Sequence, residues 1–344
     1  MDIPFLRKPI NIQLDALVTE LREQWIAFNR ELKQGKLTHL EYDKNTQKLV
    51  WRKPKADKHK ASERAFYEKL PFCDVADVFR FVNRQTPFLS ALKPLQPRYA
   101  KKVADSDSLM AAIIAQAMNH GNLVMARTSD IPYHVLETSY QQYLRQASLQ
   151  AANDRISNAI AELPIFPYYS FDLETLYAAV DGQKLGVERP TVKARHSRKY
   201  FGRGKGVVAY TLLCNHIPLN GYLIGAHEYE AHHVFDIWYR NTSDVMPTAI
   251  TGDMHSVNKA NFAILHWFGL RFEPRFTNLN DQLQELYCAD DPALYNDFLI
   301  KPAGQIDIEA IAKEKPNFDQ IVTTLGLKEM TQGTLIRKLC TYTA

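Results

Sequence analysis

Two aspartates are the side chains in this sequence best suited to chemistry. Asp181 closes the extended run Thr175 to Val180 and is followed by Gly182 and Gln183; Asp253 comes just after the short run Thr248 to Thr251, 72 positions later, and His255 stands two residues beyond it. Carboxylates are hard oxygen ligands, and magnesium takes one or two of them while phosphate and water complete its octahedron. A pair of such ions about 3.5 to 4 Å apart stabilises the entering and leaving oxygens of a phosphodiester bond cut by in-line attack. Manganese is the alternative ion. The competing reading is turn chemistry, since aspartate commonly sits at strand ends to hydrogen-bond its own backbone.

Cations cluster near the first aspartate. Lys193 to Lys205 reads KARHSRKYFGRGK, so Lys193, Arg195, Arg198, Lys199, Arg203 and Lys205 can track phosphates, with Tyr200 and Phe201 available to stack on a base or sugar. A second cluster, Arg52 to Arg64, is interrupted by Pro54 and reads equally well as a solvated loop. Arg271 and Arg275 alternate with Phe272 and Phe276, which on a strand would give one cationic and one buried face, for phosphate contact or plain exposure. The segment HEYEAHH, with His227, His232 and His233, lacks the H-E-x-x-H spacing of a zinc-protease helix. Gly202, Gly204 and Gly206 match no phosphate loop and suit a hairpin.

The elements that must position these groups fall into two halves. Apolar residues recur at helical spacing in 11–33, 108–120 and 135–162, as in Leu14, Leu17, Leu21, Trp25 and Phe28. The prolines of Leu163 to Tyr169, LPIFPYY, mark a boundary, giving a helical region over 1–165 and a second domain over 166–344. In the second half, strands are predicted at Thr175–Val180, Gly206–Cys214, Gly221–Ala226, Thr248–Thr251 and Leu270–Phe276, with helices at Ala231–Tyr239 and Val257–Phe268. Three strands in a meander followed by helix-linked strands make an α+β chain with a mixed sheet, the ribonuclease H-like arrangement. In such a sheet the first and fourth strands run side by side, which would carry Asp181 and Asp253 to one crevice. Trp238 and Trp267 fall on apolar helix faces and read as core.

Composition narrows the function classes. The 344 residues, 46% hydrophobic, can bury a sizeable core, and a net charge of +4 from 42 cations and 38 acids separates a nucleic-acid binder from an ordinary enzyme only weakly. No apolar run of roughly 18 residues suggests a membrane span, and no signal peptide is evident at the start, so the chain reads as cytoplasmic. The four cysteines form no C-x-x-C pair and predict neither zinc knuckle nor disulfide framework.

Taken in order, residues 108–279 resemble the DDE transposases of class II replicative transposons, the Tn3 family of TnpA-type enzymes. The resemblance is carried by Asn119, Gly121 and Asn122; by Asp181-Gly182-Gln183, similar to the family's D-G-Q with its first catalytic aspartate; and by Tyr200, Gly202, Gly206 and Tyr210. Glu230-Ala231, Val234 and Asp236 look like its E-A-x-x-V-x-D helix, Asp253-x-His255 like its D-T-H, and Phe268 to Phe272 with Pro274, Arg275 and Leu279 like its L-G-F-R-F-A-P-R block. Gly252, Met254 and Ser256 depart from the family's Thr, Thr and Gly at those places, and Val180 from the small hydroxyl residue expected before the first aspartate.

The resemblance implies metal-dependent cleavage at transposon 3′ ends, strand transfer into target DNA, and self-association. It implies catalytic roles for Asp181, Asp253 and His255, the histidine against phosphate or the leaving oxygen; a loop histidine with only a local hydrogen bond is the alternative. It also implies a third acid, a glutamate on a later helix, which is not found among Glu285, Glu309, Glu314 and Glu329 and is expected beyond Ala344, after an insertion beginning at about residue 280. On this reading the chain is a fragment truncated at both ends and inactive alone. The alternative from another class is a non-catalytic DNA-binding or transposase-interaction remnant.

Overall fold

The computed structural model describes residues 3–53, 67–97, 104–189 and 191–341. The basic cluster Arg52 to Arg64 lies mostly outside them. In chain order the helices are α1 (Pro4–Arg7), α2 (Ile10–Lys33), α3 (Val75–Gln85), α4 (Ser106–Ala117), α5 (Gly121–Thr128), α6 (Tyr133–Tyr143), α7 (Gln146–Ala161), α8 (Arg198–Phe201), α9 (Val234–Tyr239), α10 (Lys259–Trp267), α11 (Leu279–Leu283), α12 (Ile308–Lys313), α13 (Lys315–Gly326) and α14 (Gln332–Thr341). The strands are β1 (Leu40–Asp43), β2 (Lys48–Trp51), β3 (Tyr177–Val187), β4 (Arg195–His196), β5 (Lys205–Cys214), β6 (Ile217–Gly225), β7 (Ala249–Gly252), β8 (Arg271–Phe272), β9 (Tyr287–Cys288) and β10 (Gly304–Gln305).

The chain folds into two compact units that interleave along the sequence: Met1–His59, Glu228–Asp236 and Ala249–Ala344 form the first, Lys60–His227 and Ile237–Thr248 the second.

In the second unit, helices α4 to α7 form a bundle whose core is Phe88, Leu89, Leu92, Leu109, Met110, Tyr143 and Ala152. Asp105 starts α4 by accepting hydrogen bonds from the Ser108 backbone N–H and hydroxyl, both at 2.8 Å, satisfying donors that the first helical turn leaves free. The turn into α5 needs left-handed backbone at Asn119 (φ 56°) and Gly121 (φ 71°), and buried Asn122 bridges Gln116 and Glu137 at 2.9 Å each. These bonds account for the first of the family-like residues. The helix predicted over 135–162 is instead two helices, broken at Leu144 and Arg145. Neither glycine nor proline signals the break; it is fixed from outside, where Leu95 N–H donates to Gln142 O and Arg145 Nη2 donates to Lys93 O.

Strands β3 to β6 of the same unit are antiparallel. β5 lies between β3, paired over Ala178–Val187, and an edge shared by β6 and the short β4. Alternate residues of β5, Val208, Tyr210, Leu212 and Cys214, are buried with Ala178, Val180, Leu219 and Ile224, as the period of two requires. Burial raises the Cys214 thiol to about 12, so it behaves as a packed apolar group. Trp238 is core as predicted, its indole N–H bonded to Pro247 O.

The first unit holds the parallel pair β7 and β8, the hairpin β1–β2, which the sequence reading missed, and a core of Trp25, Leu32, Leu49, Cys288, Tyr295 and Ile300. Trp267 packs between Phe5 and Phe318, with ring centroids 5.3 Å from each. The extended run expected over Leu270–Phe276 is a strand only at Arg271 and Phe272. Its backbone nonetheless stays beside β7, because Glu273 N–H donates to Ile250 O and Arg275 N–H to Gly252 O, both at 2.8 Å. Phe276 is exposed rather than buried, lying parallel to the Phe262 ring, so the expected alternation stops at Phe272. Among the described residues no helix is long and apolar enough to cross a membrane.

Candidate active site

Asp181 does not end its strand, as the sequence suggested; it is the fifth residue of the eleven-residue β3. The strand continues because β5 pairs with it along its whole length, so the turn-forming look of D-G-Q is overridden by ladder hydrogen bonds. Asp181 opposes Thr211 on β5, and directly opposed residues of an antiparallel pair project from the same face. That face is open: Asp181, Gln183 and Leu185 are exposed in alternation, whereas Ala178 and Val180 are buried on the other. The carboxylate accepts one bond at Oδ1, from the Gly182 N–H at 2.8 Å.

Asp253 is held differently. It follows β7 directly and caps the short 3-10 turn Met254–Ser256, its Oδ1 accepting from the His255 N–H at 2.9 Å, while Ser256 returns its N–H and hydroxyl to Asp253 O. The turn is buttressed from beneath by a buried polar network. Asn261 Nδ2 donates to Ser256 O and Ala231 O, both at 2.9 Å, and Asn261 Oδ1 accepts from Gln332 Nε2. Gln332 in turn accepts from Phe235 N–H through Oε1 and donates its own backbone N–H to Asp236 Oδ1, each at 2.8 Å. Asp236, the acid of the E-A-x-x-V-x-D segment, so caps α14. The sequence reading missed Asn261 and Gln332; the one available signal was an asparagine inside an apolar helical run. His255 is exposed, and its backbone is what engages Asp253. The family-like Arg271 is exposed and lies 3.3 Å from Glu273, while Arg275, also exposed, follows β7 into the vicinity of Asp253 through its bond to Gly252 O.

The basic segment Lys193–Lys205 is anchored to the edge of the second unit's sheet. The Phe201 ring lies over Gly206, where a Cβ would meet Phe201 Cε2 at 2.2 Å and Leu185 O at 2.6 Å. Phe201 is therefore structural, contrary to the stacking role expected of it, and Gly206 is glycine because the ring needs the space. Tyr200 is 41% exposed but flanked by Lys184 and Lys199, whose Nζ atoms sit 4.7 and 5.0 Å from its ring centroid. Arg195 folds back onto Val192 O and Ala194 O, whereas Lys193, Arg198, Lys199, Arg203 and Lys205 are exposed. His233 bonds Glu228 at 3.0 Å, and burial lowers the pKa of His232.

A family model, the Tn3 transposase DDE domain, matches residues 77–344, which include both aspartates. The chain belongs to the Tn3 transposase DDE domain family. Such a domain has the ribonuclease H-like fold, in accord with the mixed α+β structure. The chain is 26% identical over 272 residues to the transposase of transposon Tn4556 from Streptomyces fradiae, covering 78% of this chain and 30% of that protein. It is 23% identical over 332 residues to the transposase of Tn1546 from Enterococcus faecium, covering 92% and 32%, and 22% identical over 276 residues to that of gamma-delta from Escherichia coli K12, covering 78% and 27%. The chain thus spans about a third or less of the length of these relatives.

Among the described residues no three His, Cys, Asp or Glu side chains are gathered into a ready metal site. The donors fit a hard divalent ion all the same. Each DDE-domain aspartate is exposed and, among the described residues, commits only Oδ1 to a neighbouring backbone N–H, which leaves the other oxygen available.

Proposed function

We propose that this chain contributes to a DNA transposase that cuts transposon 3′ ends and joins them to target DNA, with Asp181 and Asp253 as metal-holding carboxylates. The observation that carries this reading is that both family-matching aspartates present a free carboxylate oxygen at the surface while their positions are fixed by backbone hydrogen bonds. Magnesium or manganese, when bound, supplies charge stabilisation to the entering and leaving phosphate oxygens. Asp181 and Asp253 would each supply a carboxylate oxygen to such an ion. His255 reaches toward phosphate or the leaving oxygen from the turn that Asp253 caps. Lys193, Arg195, Arg198, Lys199, Arg203 and Lys205, with Arg271 and Arg275, hold the DNA backbone by charge. We also propose that the helical residues 1–165 contact DNA, that 166–344 carry the catalytic domain with an insertion starting near residue 280, and that the protein self-associates and acts in the cytoplasm.

The test is metal binding by the chain itself. Magnesium at ten times its dissociation constant is expected to add about 1.4 kcal/mol to stability. Asp181→Asn and Asp253→Asn should each abolish that gain. A melting temperature that ignores magnesium and manganese at every concentration would exclude the site. So would a gain that survives both substitutions.

A further inference from the structure

The second unit contains a hollow of about 1330 Å³ that the metal site does not use. Its walls are the N-terminal half of α7, residues of both faces of β5 and β6, Lys193 ahead of β4 and Arg240 after α9. Three of its lining residues are cations, Arg145, Lys193 and Arg240, and none is an acid. Among the described residues none of the three cations is in an ion pair. Asp154 on the same helix is already engaged, by Gln150 Nε2 at 2.7 Å and the Thr242 hydroxyl at 2.6 Å. Arg145 gives Nη2 to Lys93 O but keeps its Nε buried with no hydrogen-bond partner, so its guanidinium gains by meeting an anion. A volume above the ~300–1,000 Å³ of small-molecule sites suits a length of polymer better than a metabolite.

Other features distinguish the polymer. The half-buried Tyr222 ring and the exposed Leu149 and Leu223 offer flat apolar surface, and the exposed Gln146 offers both a donor and an acceptor. Stacking surface plus a cationic rim is how unpaired nucleotides are held, whereas a duplex keeps its bases stacked inside and meets only the rim. The hollow also leads somewhere. Thr211, part of its wall, is the cross-strand partner of Asp181, so the lining adjoins the strand position that bears the proposed metal ligand.

We propose that this hollow is a binding site for single-stranded DNA, in which Arg145, Lys193 and Arg240 hold phosphates, Tyr222 stacks a base, and the strand turns round the β6 edge to the Asp181 face. The site rests on the transposase reading for its DNA, but its test does not depend on catalysis.

The probe is a fluorescent single-stranded oligothymidine, titrated against the whole chain by anisotropy, with unlabelled duplex as competitor. Three phosphate-holding cations predict a fall of log K with log salt of slope about −2. The double substitution Lys193→Glu, Arg240→Glu should weaken binding at least tenfold and flatten the slope by more than one, while the control Arg84→Glu, Arg127→Glu, exposed but outside the hollow, changes little. Asp181→Asn should leave strand binding intact. Unchanged affinity in the Lys193, Arg240 variant, or duplex that competes as well as single strand, overturns the proposal. If that variant does not fold, the wild-type chain crosslinked to a 4-thiothymidine strand decides: adducts should map to 145–150, 193, 218–223 or 240, and adducts confined elsewhere overturn it. Strand binding that depends on these cations without any metal effect would sink the metal site and leave the hollow standing; the converse would spare the metal site alone.

Discussion

Asp181 and Asp253 are carried by opposite kinds of backbone. In the second unit, Asp181 sits mid-strand, and its position is set by the ladder with β5 along the whole strand, its own side chain adding only the bond from the Gly182 N–H. In the first unit, Asp253 helps to make the turn that presents it, and that turn rests on a buried chain of amides ending at Gln332. A carboxylate on a ladder can be altered without moving the backbone. A carboxylate that caps its own turn cannot, so function and local structure are separable at the first position and entangled at the second.

The sharpest way to break this contrast is to remove the carboxylates. On the proposed function, Asp181→Asn and Asp253→Asn, introduced into a transposase that joins this chain to the third acid, should each reduce manganese-dependent nicking of plasmid DNA by on the order of 10³-fold or more. Stability should then divide them. Asp181→Ala is expected to melt with the wild type, whereas Asp253→Ala loses a cap worth about 1 kcal/mol that Asn at 253 would keep. Equal melting temperatures for the two alanine variants would show that the Asp253 turn does not need its own side chain.

Further from the carboxylates, Gln332→Leu tests the network. It strands the Phe235 N–H and Asn261 Oδ1 in a site where Gln332 has no exposed surface, at a cost of about 2–3 kcal/mol. If the network positions Asp253, magnesium affinity should fall in this variant beyond what the loss of stability explains. Magnesium titration of the folded variant measures that directly, and unchanged affinity would make Gln332 purely a packing residue.

This contrast also explains what was legible in the sequence. The strands β5 and β7 and helix α10 were readable because apolar periodicity and local capping residues such as Asn258 agree there. Both aspartates were visible because their types and flanking residues suffice. What was hidden is tertiary in origin. The continuation of β3 past Asp181 depends on its partner strand, the break at Leu144 on bonds to Lys93 and Leu95, and the role of Gln332 on a helix about seventy residues from the asparagine it supports. Phe201 looked like a stacking residue for the same reason, since nothing nearby in sequence announces that Gly206 makes room for its ring.

That pairing gives a smaller test within the second unit. Gly206→Ala should cost about 1–3 kcal/mol, because the new methyl has no space beneath Phe201 and beside Leu185 O. The loss should be partly relieved by adding Phe201→Ala, measured as a double-mutant cycle in denaturant. Additive losses would mean that the backbone at Leu185, and not the ring, is what excludes a side chain. Either way the effect belongs to the anchoring of the basic segment and should not alter the turn at Asp253.

The smallest expected effect separates the units by pH and salt. In the first unit, hydrogen bonds from Arg22, and then from Tyr295, hold the Asp290 carboxyl below its ordinary value. In the second, the Ser108 N–H and hydroxyl do the same for Asp105. A depressed carboxyl contributes stability that is full above its unfolded pKa, near 4, and is lost as pH falls through the lower folded value, so both units should weaken only in strong acid. Their salt responses should differ. The Asp290 shift comes first from hydrogen bonds of the charged Arg22 guanidinium, whose added charge attraction salt screens over a Debye length of about 10 Å at 0.1 M and about 3 Å at 1 M, whereas the Asp105 shift comes from neutral donors in direct contact. High salt should therefore reduce the acid-labile stability of the first unit and leave that of the second almost unchanged. Hydrogen exchange of amides in α2 and α4 across an acid titration at low and high salt reads the two separately, and a parallel response in both helices would show that the Arg22 pair adds nothing beyond its hydrogen bonds.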